Sequence, residues 1–212
     1  MYFKVDNIYH IYNRGNNKDK IFFEEKNYLF FIKKTRKELS DHFHFLAYCL
    51  MPNHFHFLVQ VKENHNSSDD FKSSDELFQP ILLSEKNYSK EISNKIAVLL
   101  RSYTRAINIQ EGRTGSLFQQ KTKSKCLNEL NTSENNYIST CFHYIYQNPL
   151  NAGLVNKLEN WEYSSFIEYV ELRHNPLCNI ELASQLVNID RNNFIEQSYA
   201  VLEEVGMKGI WI

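Results

Sequence analysis

Phe43-His44-Phe45-Leu46-Ala47-Tyr48-Cys49-Leu50-Met51-Pro52-Asn53-His54-Phe55-His56-Phe57-Leu58-Val59-Gln60-Val61 is the stretch that decides the fold. Phe43 to Leu50 and His54 to Val61 read as two strands, rich in aromatic and β-branched residues. Met51-Pro52-Asn53 joins them as a hairpin or tight turn. Residues i and i+2 of a strand share a face. His54 and His56 therefore project side by side, while Phe55 and Phe57 point to the opposite face and a core. Two imidazoles held close together on a rigid sheet make half a metal site. His42-Phe43-His44 repeats the pattern just upstream, so a second feature has to separate the two pairs.

Working outward, Ile8 to Asn13 reads as a first strand, followed by a turn at Arg14-Gly15-Asn16-Asn17. Glu24 to Leu39 has helical spacing, with Tyr28, Phe31, Ile32, Thr35 and Leu39 near one side. Lys62 to about Lys90 is polar and reads as an insertion, with a short apolar anchor at Phe78 to Leu83. Glu91 to Ile109 is an amphipathic helix whose apolar stripe is Ile92, Ile96, Leu99, Tyr103 and Ile107. Leu117 to Leu127 reads as a strand on which Lys121, Lys123 and Lys125 share a face. Ser133 or Glu134 starts a helix that should end before Pro149, since proline disfavours helical geometry in the residue preceding it. Ser164 to His174 suggests one more helix.

The order βαββαβα predicts an α+β fold. A ferredoxin-like or RRM-like antiparallel sheet with helices packed on it is the natural topology. A main domain over residues 1–170, with the 62–90 insertion inside it, and a helical extension over 171–212 complete the expected layout.

The 212 residues suffice for one well-buried domain with additions, and 14% aromatic content supports a packed core. Cys49, Cys126, Cys141 and Cys178 are scattered, which fits a reducing compartment better than a disulfide framework. No apolar run approaches a membrane span, and the N-terminus resembles no signal peptide. A cytoplasmic protein with no membrane partner is the expectation. The net charge of −1 does not itself suggest a nucleic-acid binder. It hides an asymmetry: from Lys86 to Lys125 nine basic residues face two acidic ones, while from Asn156 onward four basic residues face nine acidic ones. A basic middle suits phosphates.

The second half of the site lies in Cys141-Phe142-His143-Tyr144-Ile145-Tyr146-Gln147-Asn148. Ile138, Cys141, Phe142 and Ile145 form the buried stripe of this helix. Tyr144 and Asn148, one turn apart, fall on its shoulder. Tyr146 falls on the other shoulder, and His143 should point away. Two imidazoles and an amide oxygen leave coordination positions open, as suits Mg²⁺ or Mn²⁺ holding a phosphate. A tyrosine beside such an ion is a candidate nucleophile toward phosphorus, although its ordinary pKa of ~10 must be overcome.

Three blocks resemble the single-tyrosine HUH transposases, in the branch of REP-associated tyrosine transposases and insertion-sequence-200-like enzymes. They are Tyr9-His10-Ile11-Tyr12-Asn13-Arg14-Gly15-Asn16, Ala47 to Leu58 around the histidine pair, and Tyr144-Ile145-Tyr146-Gln147-Asn148-Pro149-Leu150-Asn151-Ala152-Gly153-Leu154-Val155. Gly115-Ser116-Leu117-Phe118-Gln119 and Trp161-Glu162-Tyr163-Ser164-Ser165 match more weakly. Together the blocks span about residues 5 to 170.

The resemblance implies metal-binding roles for His54, His56 and Asn148 and a nucleophilic role for Tyr144. It assigns none to His42 or His44, which favours the later pair. It implies attack of Tyr144 on single-stranded or hairpin DNA, leaving a 5′-phosphotyrosine and a free 3′-OH, in a monomer or homodimer. Arg14, Arg101, Arg105, Lys121, Lys123 and Lys125 are the candidate DNA-binding residues. Two other readings stay open. One is a domesticated nucleic-acid-binding protein on the same fold. The other is a zinc protein using His54, His56 and a cysteine such as Cys49 or Cys126.

Overall fold

The computed structural model describes residues 1–63, 78–130 and 137–205, with side chains left aside for 78–82 and 201–205. Four strands, β1 (Ile8–Arg14), β2 (Phe43–Met51), β3 (His54–Val61) and β4 (Lys123–Cys126), form one antiparallel sheet in the order β2-β3-β1-β4. Helices α1 (Glu25–Leu39) and α2 (Phe78–Gln110) make the two crossovers, so the βαββαβ core is ferredoxin-like as expected. The hairpin β2–β3 pairs Cys49 with His56 and Met51 with His54. The central pair β1–β3 sets Tyr12 opposite His56 and Arg14 opposite His54.

The alternation of β3 divides the molecule. Phe55 and Phe57 face α1 and α2, where Phe31 lies 5.3 Å from Phe55 and 4.8 Å from Tyr103 between ring centroids. The α2 stripe Ile92, Ile96, Leu99, Tyr103 and Ile107 is buried throughout. The opposite face, carrying His54, His56 and Cys49, is covered by α3 (Tyr137–Asn151), which lies across β2 and β3. β2 is the strand most completely enclosed, because its outer edge is also covered. Ser165 N–H donates to Tyr48 O at 2.8 Å, and Asn179 N–H donates to Phe45 O at 2.8 Å. An edge capped in this way cannot pair with another chain.

Five sequence expectations are corrected. The anchor within the 62–90 insertion is the first part of a helix, since α2 begins at Phe78; residues 64–77 of the insertion lie outside those described. The strand expected over Leu117 to Leu127 is only Lys123–Cys126. Before it, Phe118 makes a single bridge with Gly15 and is then drawn into the core beside Phe55 and Tyr103. The helix expected over Ser164 to His174 shrinks to α4 (Phe166–Tyr169), because the chain before it is bound to the edge of β2, where Ser164 bridges to Cys49.

The fourth correction concerns Pro149. α3 continues through it to Asn151. Proline deprives Ile145 O of its helical donor, and the Asn148 side chain replaces it, with Nδ2 donating to Tyr144 O at 2.8 Å and Ile145 O at 3.2 Å. The helix stops at Asn151, two residues on; Gly153 then takes φ +67 and Leu154 N–H donates back to Pro149 O. The expected start at Ser133 or Glu134 lies outside the described residues.

The fifth is His143, which is buried rather than turned to solvent. Helix α6 (Phe194–Val205) packs over that side of α3. His143 Nδ1 lies 2.5 Å from Tyr146 Oη, which in turn lies 2.8 Å from Ser198 Oγ. Helix α5 (Ile180–Val187) packs on β2 and α3, so both C-terminal helices rest against the helix that carries Tyr144.

Gly15 sits where β1 turns away from β3, and a Cβ there would lie 2.1 Å from Asp19 O. Gly15→Ala must displace the backbone behind Arg14. The expected loss is about 1–3 kcal/mol, read as a lower urea midpoint at unchanged m-value.

Candidate active site

One sheet face and one helix build the site. β3 presents His54 and His56, β1 presents His10, Tyr12 and Arg14, and α3 presents Tyr144 and Asn148. All seven line a cavity of about 880 Å³. Gln119, Lys121 and Lys123 enter from the segment leading into β4. The rings of Tyr144 and His56 stand edge-to-face, 5.9 Å between centroids. The two halves found in the sequence are therefore brought together within one chain.

The histidines are held by their backs. Asn53 Nδ2 donates to Lys18 O at 3.1 Å, which aims Asn53 Oδ1 at His54 Nδ1, 2.6 Å away. That oxygen only accepts, so the His54 proton sits on Nδ1 and Nε2 keeps its lone pair. His56 Nδ1 lies 2.8 Å from His10 Nε2. When His56 donates in this bond, its Nε2 also keeps a lone pair.

His10 is 1% exposed and stacks against Tyr12 at 4.7 Å and His56 at 5.0 Å. Its part in the site was missed in the sequence. The signal available was its alternation with Tyr12 and Arg14 on β1, but only the register with β3 places it beside His56.

Burial keeps these rings neutral. Desolvation, then Lys125, lowers the His10 pKa to about 3. Desolvation, then Arg14, lowers His54 to about 4. His56 is depressed well below the ordinary imidazole value by desolvation first and by His10, His54 and Arg14 after it. Burial raises the Tyr144 phenol to about 12, while its hydrogen bond with Asn148 acts in the other direction.

Among the described residues no carboxylate lines the cavity, and no group of three His, Cys, Asp or Glu could hold a metal ion. The donor set that fits a cation is two neutral imidazole nitrogens and one amide oxygen. Such a set would leave a divalent ion's charge unneutralised toward an anion. Arg14 adds to this, since its Nε is buried without a hydrogen-bond partner. An unpaired buried donor on a cation is costly unless an acceptor arrives.

The remaining basic candidates are spread out. Lys123 lies over the Tyr12 ring at 5.6 Å. Lys125 pairs with His10 across the sheet and acts on Cys141 of α3, outside the cavity lining. Arg101 and Arg105 are on α2 and line a separate trough, which Lys121 also borders.

No protein-family model matches the chain. A Haemophilus influenzae protein named as a REP-associated tyrosine transposase is 26% identical over 151 residues, covering 66% of this chain and 69% of that one. The fold is similar to a solved REP-associated tyrosine transposase bound to a REP hairpin. The TM-score is 0.51 and the identity 18%, over 84% of this chain and 87% of that one. No helix among the described residues is long and apolar enough to cross a membrane. In sequence the chain is thus similar to a REP-associated tyrosine transposase, and in fold to a solved one.

Proposed function

We propose that this chain cleaves and rejoins single-stranded DNA at Tyr144. The carrying observation is the meeting of Tyr144 and Asn148 with His54 and His56 in one cavity. Tyr144 Oη attacks phosphorus, the P–O3′ bond breaks, and the phenol proton ends on the departing 3′ oxygen. The products are a 5′-phosphotyrosine and a 3′-OH. Attack by a 3′-OH on the phosphotyrosine reverses the step and joins strands without ATP.

With a phenol pKa of about 12, only about one Tyr144 in 10⁵ is ionised at pH 7. Proton removal must therefore be assisted. His54 Nε2, His56 Nε2 and Asn148 Oδ1 are the atoms that would hold Mg²⁺ or Mn²⁺. When bound, the ion polarises the phosphate and favours the phenolate. Arg14 offers its unpaired Nε–H to a phosphate oxygen, and Lys121 and Lys123 add positive charge at the mouth. The REP hairpin held by the structural relative suggests a hairpin flanked by unpaired bases as the ligand class.

The test is a denaturing gel of the chain with labelled hairpin DNA carrying single-stranded flanks. A covalent adduct is expected with Mg²⁺ or Mn²⁺ and none with excess EDTA. Hairpin binding with no adduct in any divalent ion would make the chain a binding protein instead.

His10→Phe separates positioning from fold. It preserves the stack on Tyr12 but removes the nitrogen facing His56. Mn²⁺ affinity by calorimetry should fall about 10–100-fold. Unchanged affinity would show that His56 needs no orienting partner.

A further inference from the structure

A second cavity adjoins the first. It is a trough of about 1030 Å³ between α2 and the segment 116–122. Its α2 wall carries Ser93, Ala97, Arg101 and Thr104, spaced three or four residues apart and so on one helix face. Three of the four are short, which opens the trough. Arg101, Arg105, Arg113 and Lys121 line it without any acidic neighbour in the lining. Among the described residues none of the four is in an ion pair.

The lining is not only cationic. Ile109 is 73% exposed there, an apolar side chain left in water between Arg105 and Arg113. The trough borders the Tyr144 cavity, since Asn13, Gln119 and Lys121 line both. Asn13 Nδ2 ties the shared wall to β1, donating to Gln119 O at 3.1 Å and Thr122 Oγ1 at 2.9 Å.

Two features decide which nucleic acid fits. Cations without acidic partners attract phosphates on any strand. An exposed aliphatic platform between them gains nothing from a duplex, whose base faces are already stacked on one another. It gains from unpaired bases, which bring free apolar faces. We infer that the trough holds the unpaired strand continuing from the scissile phosphate past Lys121, with phosphates on Arg101, Arg105 and Arg113 and bases against Ile109. This rests on the assignment of the Tyr144 cavity as the cleavage site, and it adds the path of the flanking strand.

The experiment measures anisotropy of fluorescein-labelled dT4, dT8 and dT16, and of a blunt 16-base-pair duplex, with the full chain. Affinity should rise from dT4 to dT16. The R101E/R105E variant should lose about tenfold or more on dT16 and show a shallower salt dependence. A97W fills the trough without changing charge and should lose roughly fivefold on dT16 while leaving duplex binding as it was. Circular dichroism checks that both variants fold. Parent-like dT16 binding by A97W overturns the inference, as does an equal fractional loss on duplex and dT16. If both variants lose dT16 selectively but no Tyr144 adduct ever forms, the trough stands and the cleavage reading falls. If adducts form at full yield and A97W binds dT16 like the parent, cleavage stands and the strand path through the trough falls.

Discussion

Tyr144→Phe should abolish covalent capture of single-stranded DNA, with cleavage falling by about 10³-fold or more, as for loss of a nucleophile. The substitution removes one oxygen. The ring keeps its edge-to-face seat on His56, and the Asn148 amide keeps its hold on the Tyr144 and Ile145 carbonyls through Nδ2. Fold stability and DNA affinity should therefore stay near the parent's, so a lost adduct reports chemistry. Peptide mapping of the parent adduct should place the DNA on Tyr144. Tyr12 is the control, because it lines the same cavity. If Tyr144→Phe still forms an adduct and Tyr12→Phe does not, the nucleophile is Tyr12 and the role argued for α3 is wrong.

Glu168→Ala should be the most destabilising substitution of a charged residue in the described structure, costing about 3–5 kcal/mol. The Glu168 side chain is fully buried on α4. Tyr48 Oη donates to Oε1 at 2.7 Å, and the Leu177 and Cys178 amides donate to Oε2 at 2.9 Å each. Arg173 Nη1 lies 3.9 Å from Oε1 and donates to Tyr48 Oη at 2.6 Å. Alanine would strand two backbone donors, a phenol and a guanidinium together. The damage is not local, because the carboxylate holds 177–179 against β2, where Cys178 bridges to Phe45 and α5 begins. Urea titration should show the loss, and Glu168→Gln, which keeps the shape and part of the bonding, should lose less. Equal stability of Glu168→Ala and the parent would mean that water or Arg173 replaces the carboxylate without cost.

Glu168 also shows where sequence reading stops. In the chain it is one of nine acidic residues in a negatively charged C-terminal stretch, and nothing in its neighbours sets it apart. Its meaning comes from Tyr48, 120 residues away, and from a loop that folds back over β2. His10 is a similar case, as its value depends on a register with β3 that pairs residues 46 apart. His143 failed for the complementary reason. Periodicity correctly placed it off the α3 stripe, but α6 covers the surface it reaches. Pro149 failed because its bias against a helical Asn148 is a local preference, and here the Asn148 side chain donates to Ile145 O, the carbonyl that proline leaves without a partner, so the helix carries on.

What the chain determines locally is therefore the period and the punctuation. Alternation in β3 sends Phe55 and Phe57 one way and His54 and His56 the other. Helical spacing buries the α2 stripe and sets Tyr144 one turn from Asn148. These follow from backbone geometry, which any residue shares with its near neighbours, and they were enough to anticipate the ferredoxin-like core; the choice of His54 and His56 over His42 and His44 came from the motif resemblance. Only the tertiary structure decided which nitrogen of each imidazole faces the cavity, that Arg14 keeps an unpaired donor there, and that Arg101 and Arg105 serve a separate trough rather than the cleft. Those are consequences of hydrogen bonds and burial between distant segments, and such pairings carry no periodic trace along the sequence.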